Sequence, residues 1–89
     1  MIECEFTIIN NLGLHARAAA KFVTTASSFK ANIQVSRNGR TVNGKSIMGL
    51  MMLAAAKNTK IIIHADGEDE QEAIDKLEEL INDYFGEGE

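Results

Sequence analysis

The sequence predicts an α/β (α+β) two-layer open-faced sandwich of order β-α-β-β-α-β-α, with a four-stranded antiparallel sheet covered on one face by three helices. Three observations carry that expectation. Apolar residues alternate in the first strand and place Ile33 and Val35 on one face of the second, they recur at helical spacing from Ala16 to Phe29 and from Ile74 to Tyr84, and proline is absent from all 89 residues. Three helices on one side of a small sheet bury the apolar face of every element in a single core.

The first strand runs from Ile2 to Ile9. Cys4, Phe6 and Ile8 alternate there with Glu3, Glu5 and Thr7, the pattern of a half-buried strand. After the Asn-Asn-Leu-Gly turn, Ala19, Phe22, Ala26 and Phe29 share one face of a helix that begins near His15 and Ala16. The segment "ANIQVSRNGRTVNG" places Ile33 and Val35 on one face and contains Asn38-Gly39, a dipeptide suited to a tight hairpin between strands two and three. Ser46 is positioned to cap a second helix reaching about Ala56, with Lys57-Asn58 closing it. "KIIIHADG" reads as strand four. Asp69 and Glu72 form a D-x-x-E start to a third helix with Ile74, Leu77, Ile81 and Tyr84 in register, closing at Gly86. The polar, Gly-rich end from Gly86 to Glu89 is expected to fray. Residues 1–89 are expected to form one domain.

Composition narrows the function classes. The net charge is −4 and the basic residues are not clustered, which argues against a nucleic-acid footprint. The one cysteine, Cys4, has no internal disulfide partner, and the first ten residues lack a basic and apolar leader, so a cytoplasmic location is expected. The weakly charged window from Ile47 to Ala56 is too short to span a bilayer, so no membrane segment is expected.

Two stretches invite a phosphate-handling reading. Gly39, four residues on from which come Gly44-Lys45-Ser46, has the spacing of a nucleotide-binding P-loop. That loop requires a buried parallel strand before the first glycine and a long helix after the lysine, whereas Gly39 belongs to a hairpin and Arg40, Thr41 and Val42 suit a return strand. The P-loop reading is therefore rejected. The second stretch, "NNLGLHARAAAKF", sets His15 just before a helix start. A neutral imidazole nitrogen is a nucleophile near pH 7. A phosphoryl group on it would meet the N–H groups of Ala16 and Arg17, the positive end of the helix dipole and the Arg17 guanidinium. Local chemistry alone leaves open a purely structural His15 that caps the helix. His64 lies in a strand with no metal ligand at suitable spacing, and neither a metal nor a cofactor is expected.

"GLHARAAAKF" together with "GKSIMGLMMLAA" resembles the HPr family of phosphocarrier proteins of bacterial phosphotransferase systems, over essentially the whole chain. The resemblance implies that His15 is the phosphorylated histidine, with the group on Nδ1, that Arg17 contacts the phosphate, and that Ser46 matches a serine phosphorylated by a regulatory kinase. It implies that phosphoenolpyruvate charges an enzyme I-type donor, that an EIIA-type protein accepts the group, and that an HPr kinase/phosphorylase is a further partner. Ala18 stands where the family usually has proline, which makes the sequence similar to the subgroup with "HARAAAKF", including the nitrogen-related branch called NPr. That change falls in the first helical turn, where the backbone N–H has no intrahelical partner. A carrier that docks two proteins in turn needs an adaptable surface. Ile47, Met48 and Met51 on the second helix are candidates, because the bulky residues of that helix cannot all face one core. A monomer is expected. The alternative from a different class is a non-phosphorylated regulatory module that uses the same helix surface and needs neither His15 nor Arg17.

Overall fold

Alternation in the first strand turns its even positions inward. In the computed structural model, which describes all residues from Met1 to Glu89, β1 (Ile2–Thr7) packs Ile2, Cys4 and Phe6 against the core and leaves Glu3, Glu5 and Thr7 in solvent. The remaining elements are α1 (Ala16–Ser27), β2 (Asn32–Arg37), β3 (Arg40–Asn43), α2 (Ile47–Met52), β4 (Lys60–Asp66) and α3 (Glu70–Asn82), followed by a tight turn at Tyr84–Gly86. The sheet order is β1-β4-β2-β3 with every pair antiparallel, so β4 is central and pairs with both β1 and β2. Its residues Ile61, Ile63 and Ala65 point into the core with Ile33 and Val35 of β2. Phe22, Ala19 and Ala26 of α1, Leu50 of α2, and Ala73, Leu77 and Ile81 of α3 close over them. This is the open-faced α+β sandwich expected from the apolar periods.

The β2–β3 hairpin turns at Asn38 (φ 51°) and Gly39 (φ 80°), both left-handed, as a two-residue turn of the primed type requires. Gly39 is thus committed to a turn, and Lys45 Nζ donates to Phe29 O at 2.8 Å. No phosphate-binding nest forms around this lysine.

Three expectations are corrected. The second helix ends at Met52, not near Ala56, and Ala54 takes φ 51°. Lys57-Asn58 therefore does not cap it. The carbonyls at its end are taken by side chains of the β2–β3 hairpin instead: Arg37 donates to Leu53 O at 2.8 Å and Arg40 to Met52 O at 2.9 Å. Asp69 precedes α3 but makes no side-chain cap. Its carboxylate accepts from Lys30 N and Ala31 N at 2.8 and 2.9 Å, tying the start of α3 to the loop between α1 and β2. Those hydrogen bonds, that from Lys30 foremost, hold the Asp69 carboxyl below the usual aspartate range against the opposing effect of burial. Third, α3 stops at Asn82, and Tyr84 is 39% exposed while its neighbour Phe85 is fully buried. Tyr84, Phe85 and Gly86 all take positive φ, at 56°, 53° and 75°, which reverses the chain and sends it toward His15.

Candidate phosphoryl-acceptor site

His15 sits at the N-cap of α1 because the chain before it is fixed on both sides. Gly13 adopts φ 69°, and a Cβ there would lie 2.6 Å from Ala55 O, so only glycine permits this approach. Leu14 N donates to Ala55 O at 2.8 Å, and the fully buried Asn10 holds the loop closed by donating from Nδ2 to Gly13 O at 2.8 Å. His15 then carries extended backbone angles, and its own carbonyl accepts the first helical bond, from Ala19 N at 2.8 Å.

The two ring nitrogens face different surroundings. Nδ1 faces the helix start, where Arg17 N lies 3.4 Å away, a long contact that leaves room for a closer acceptor. Nε2 lies 2.5 Å from Glu87 Oε2. Glu87 comes from the segment expected to fray, and this is the fourth correction. Its other carboxylate oxygen accepts from Asn10 Nδ2 at 2.9 Å, Glu89 O accepts from Asn11 N at 3.1 Å, and Phe85 O accepts from Lys21 Nζ at 2.6 Å. Burial opposes ionisation of Glu87. The hydrogen bonds from Asn10 and His15, with the Lys21 charge nearby, outweigh it and hold the carboxyl below the usual glutamate range.

Arg17 is exposed, and its guanidinium makes no hydrogen bond or ion pair within the chain. It lines a cleft of about 370 Å³ with Asn11, Leu12, Lys21, Gly86 and Glu87. A second, shallower groove of about 190 Å³ joins Leu12, Leu14 and His15 to Ala54, Ala55 and Ala56, the residues that follow α2. The structure thus brings His15, Ala16 and Arg17 together at one helix start and connects them to the far end of α2. On that helix Ile47, Met48 and Met51 are 41%, 74% and 43% exposed, while Leu50 is fully buried. The reading in which all the bulky residues of this helix are core is excluded. Met52 and Leu12 extend the exposed apolar surface at 59% and 69%. Ser46 lies at the opposite end of α2 as its N-cap, with Oγ accepting from Gly49 N at 3.1 Å.

Sequence reasoning missed Glu87, Asn10 and Leu12. Local pattern holds no signal for the first two, whose partners lie up to 77 residues away. His64 is on the face of β4 opposite the core. Its Nδ1 lies 3.1 Å from Glu3 Oε2 and its Nε2 3.0 Å from Ser36 Oγ, a cross-strand network apart from His15. Cys4 is half-buried in β1. No helix is long and apolar enough to cross a membrane.

Comparison with known proteins gives a consistent result. Residues 2–83 match the family model described as the PTS HPr component phosphorylation site. The chain is 61% identical to the phosphocarrier protein HPr of Neisseria meningitidis serogroup A over 89 residues, covering all of both chains. Among solved structures, HPr-C-His from Thermoanaerobacter tengcongensis superposes with a TM-score of 0.94 at 47% identity, covering 98% of each chain. An HPr dimer from the same organism matches with a TM-score of 0.79 at 47% identity, covering 98% of this chain and all of the other. On this match over nearly its full length, the chain belongs to the HPr family, the phosphocarrier proteins of the bacterial phosphotransferase system.

Proposed function

We propose that His15 is the residue that carries the phosphoryl group, accepting it on Nδ1 from a phosphohistidine of an enzyme I-type donor charged by phosphoenolpyruvate and passing it to an EIIA-type acceptor. The observation that carries this reading is the placement of Nδ1 at the start of α1, beside Arg17 N and an Arg17 guanidinium with no partner of its own. In each transfer the attacking nitrogen's lone pair forms a new N–P bond as the donor's N–P bond breaks. The group moves as a unit, so the protein's contribution is position and charge rather than bond chemistry of its own. The backbone N–H groups of Ala16 and Arg17 are among the first-turn donors that lack intrahelical partners, and they suit the phosphoryl oxygens. The Arg17 guanidinium adds a charge-assisted contact of about 1.5 to 3 kcal/mol.

The exposed residues Ile47, Met48 and Met51 form the docking surface in this proposal, reached from His15 through the groove past Ala54. Methionine side chains repack readily, which suits a surface that meets a donor and an acceptor in succession. Ser46, adjoining that surface, is the proposed target of an HPr kinase/phosphorylase. The carrier acts as a monomer and serves a sugar or a nitrogen-related branch according to the acceptor it charges. A regulatory module that is never phosphorylated would have no use for the unpaired Arg17 beside His15.

The test is incubation with phosphoenolpyruvate and enzyme I. The expected result is a mass gain of one phosphoryl group that is lost in acid and kept in alkali, is absent in His15→Ala, and is unaffected in His64→Ala. Phosphate uptake by His15→Ala would overturn the assignment.

A further inference from the structure

The segment after α3 is built to deliver one carboxylate. Two consecutive residues other than glycine, Tyr84 and Phe85, hold positive φ, a conformation that costs about 1 kcal/mol or more at each. The surroundings over-determine it: Phe85 is fully buried, its carbonyl is bound by Lys21 Nζ, and Asn10, itself fully buried, grips Glu87 Oε1. Glu89 O on Asn11 N fastens the other side. What remains is Glu87 Oε2 against His15 Nε2.

Hydrogen-bond roles then determine the imidazole's state. An ionised carboxylate only accepts, so Nε2 bears a hydrogen. A backbone N–H only donates, so Nδ1, facing Arg17 N, offers its lone pair. Both neighbours select the same tautomer.

We infer that Glu87 is a positioning residue for phosphoryl transfer, fixing the Nε2–H tautomer of His15 so that Nδ1 is the nucleophile; this rests on the proposed role of His15. Before transfer the carboxylate keeps the proton off Nδ1. As the N–P bond forms there, positive charge develops on a ring that retains its Nε2 proton, and the facing carboxylate balances it. In the onward step the N–P bond breaks and its electron pair returns to Nδ1. Because the proton has stayed on Nε2, the departing group is a neutral imidazole rather than an anion. No proton enters or leaves in either direction. Lys21 and Arg17 line the same cleft as Glu87, and neither makes an ion pair with it, which leaves the carboxylate oxygen Oε2 to the ring N–H of His15.

The experiment reads the ring and the rate separately, on the full chain. Nitrogen-15 chemical shifts of unphosphorylated wild-type protein above the imidazole titration are expected to give the Nε2–H tautomer as the dominant form. Glu87→Ala is expected to bring in a substantial Nδ1–H population and to slow transfer from enzyme I about tenfold. Glu87→Gln keeps the shape and offers an amide oxygen to Nε2–H, so it should restore the tautomer and part of the rate. An amide spectrum checks that each variant is folded. A dominant Nδ1–H form in the wild type would overturn the inference. So would a wild-type transfer rate in Glu87→Ala, whether or not its tautomer ratio moves. The tautomer is measured before any phosphate is added, so failure of the His15 assignment, seen as phosphate uptake by His15→Ala, is a separate result.

Discussion

Ser46 has a structural task and a proposed regulatory one, and substitutions separate them. The structural task is one neutral hydrogen bond, Oγ accepting from Gly49 N at 3.1 Å, at the head of a helix of only six residues. Ser46→Ala leaves that N–H without its acceptor and is expected to cost about 1 kcal/mol, within a range of about 0.5 to 2. At about 2.1 cal/mol/K of unfolding entropy per residue, a chain of this length has about 0.19 kcal/mol/K, so the expected fall in Tm is about 5 °C by calorimetry. Ser46 has no bond to His15 or Arg17, so transfer per folded molecule should be unchanged in this variant at 25 °C. Ser46→Asp keeps an acceptor for Gly49 N and places negative charge at a helix start, so its Tm should hold or rise. The effect of Ser46→Asp should fall on docking. The carboxylate, like a phosphate of about −1.5 to −2 charge, sits beside the exposed apolar residues of α2 and repels an acidic donor surface of the kind Arg17 attracts. Affinity of Ser46→Asp for enzyme I at low salt is expected to fall with its fold intact. Wild-type affinity and transfer rate would leave Ser46 as a cap alone, and an unchanged Tm in Ser46→Ala would remove the cap argument as well.

Met48, 74% exposed, should tolerate Met48→Glu with a stability change within about 0.5 kcal/mol, while phosphoryl exchange slows toward both donor and acceptor; a large loss of Tm with normal exchange would return it to the core. Acid stability follows from three carboxyls held below their ordinary values, Asp69 chiefly by the Lys30 amide, Glu70 chiefly by the Gly67 amide, and Glu87 by Asn10 and His15 against burial. A lowered folded-state value means that the folded protein resists protonation, so their contribution is complete above about pH 4.5 and disappears as pH falls through the folded values. Urea unfolding followed against pH should show this decline, and Asp69→Asn should flatten it.

What was legible in the sequence is what repeats locally. The alternation of Cys4 and Phe6 with Glu3 and Glu5, the spacing of Ala19, Phe22 and Ala26, and Asn38-Gly39 each specify an element within a few residues of themselves. His15 and Ser46 were legible for the same reason, since each caps the helix that follows it. The corrections share the opposite property. α2 ends early because guanidinium groups from β2 and the start of β3 take its last carbonyls, and Asp69 leaves its helix to bind amides 38 and 39 residues away. The end of the chain reads as a polar tail until Asn10 and His15 are placed beneath it, 77 and 72 residues back. A pattern search cannot register a donor and acceptor that meet only after folding.

The same accounting of donors separates the P-loop lookalike from the histidine motif. A phosphate site requires donors that folding leaves without partners. Around Gly44-Lys45-Ser46 the donors of the motif are engaged: Gly44 N donates to Ile33 O, Lys45 Nζ to Phe29 O, Lys45 N to Asn43 Oδ1, and Ser46 N to Asn43 O. Gly44 is needed for packing, since a Cβ there would come within 2.6 Å of Ile33 Cγ2. At His15 the balance is reversed. The Arg17 guanidinium makes no bond within the chain and the Arg17 amide reaches Nδ1 only at 3.4 Å, while the Glu87 carboxylate is taken by Asn10 and His15 and Phe85 O by Lys21. Donors left over at one helix start leave room for an anion beside Nδ1, and the proposed role of His15 rests on that placement.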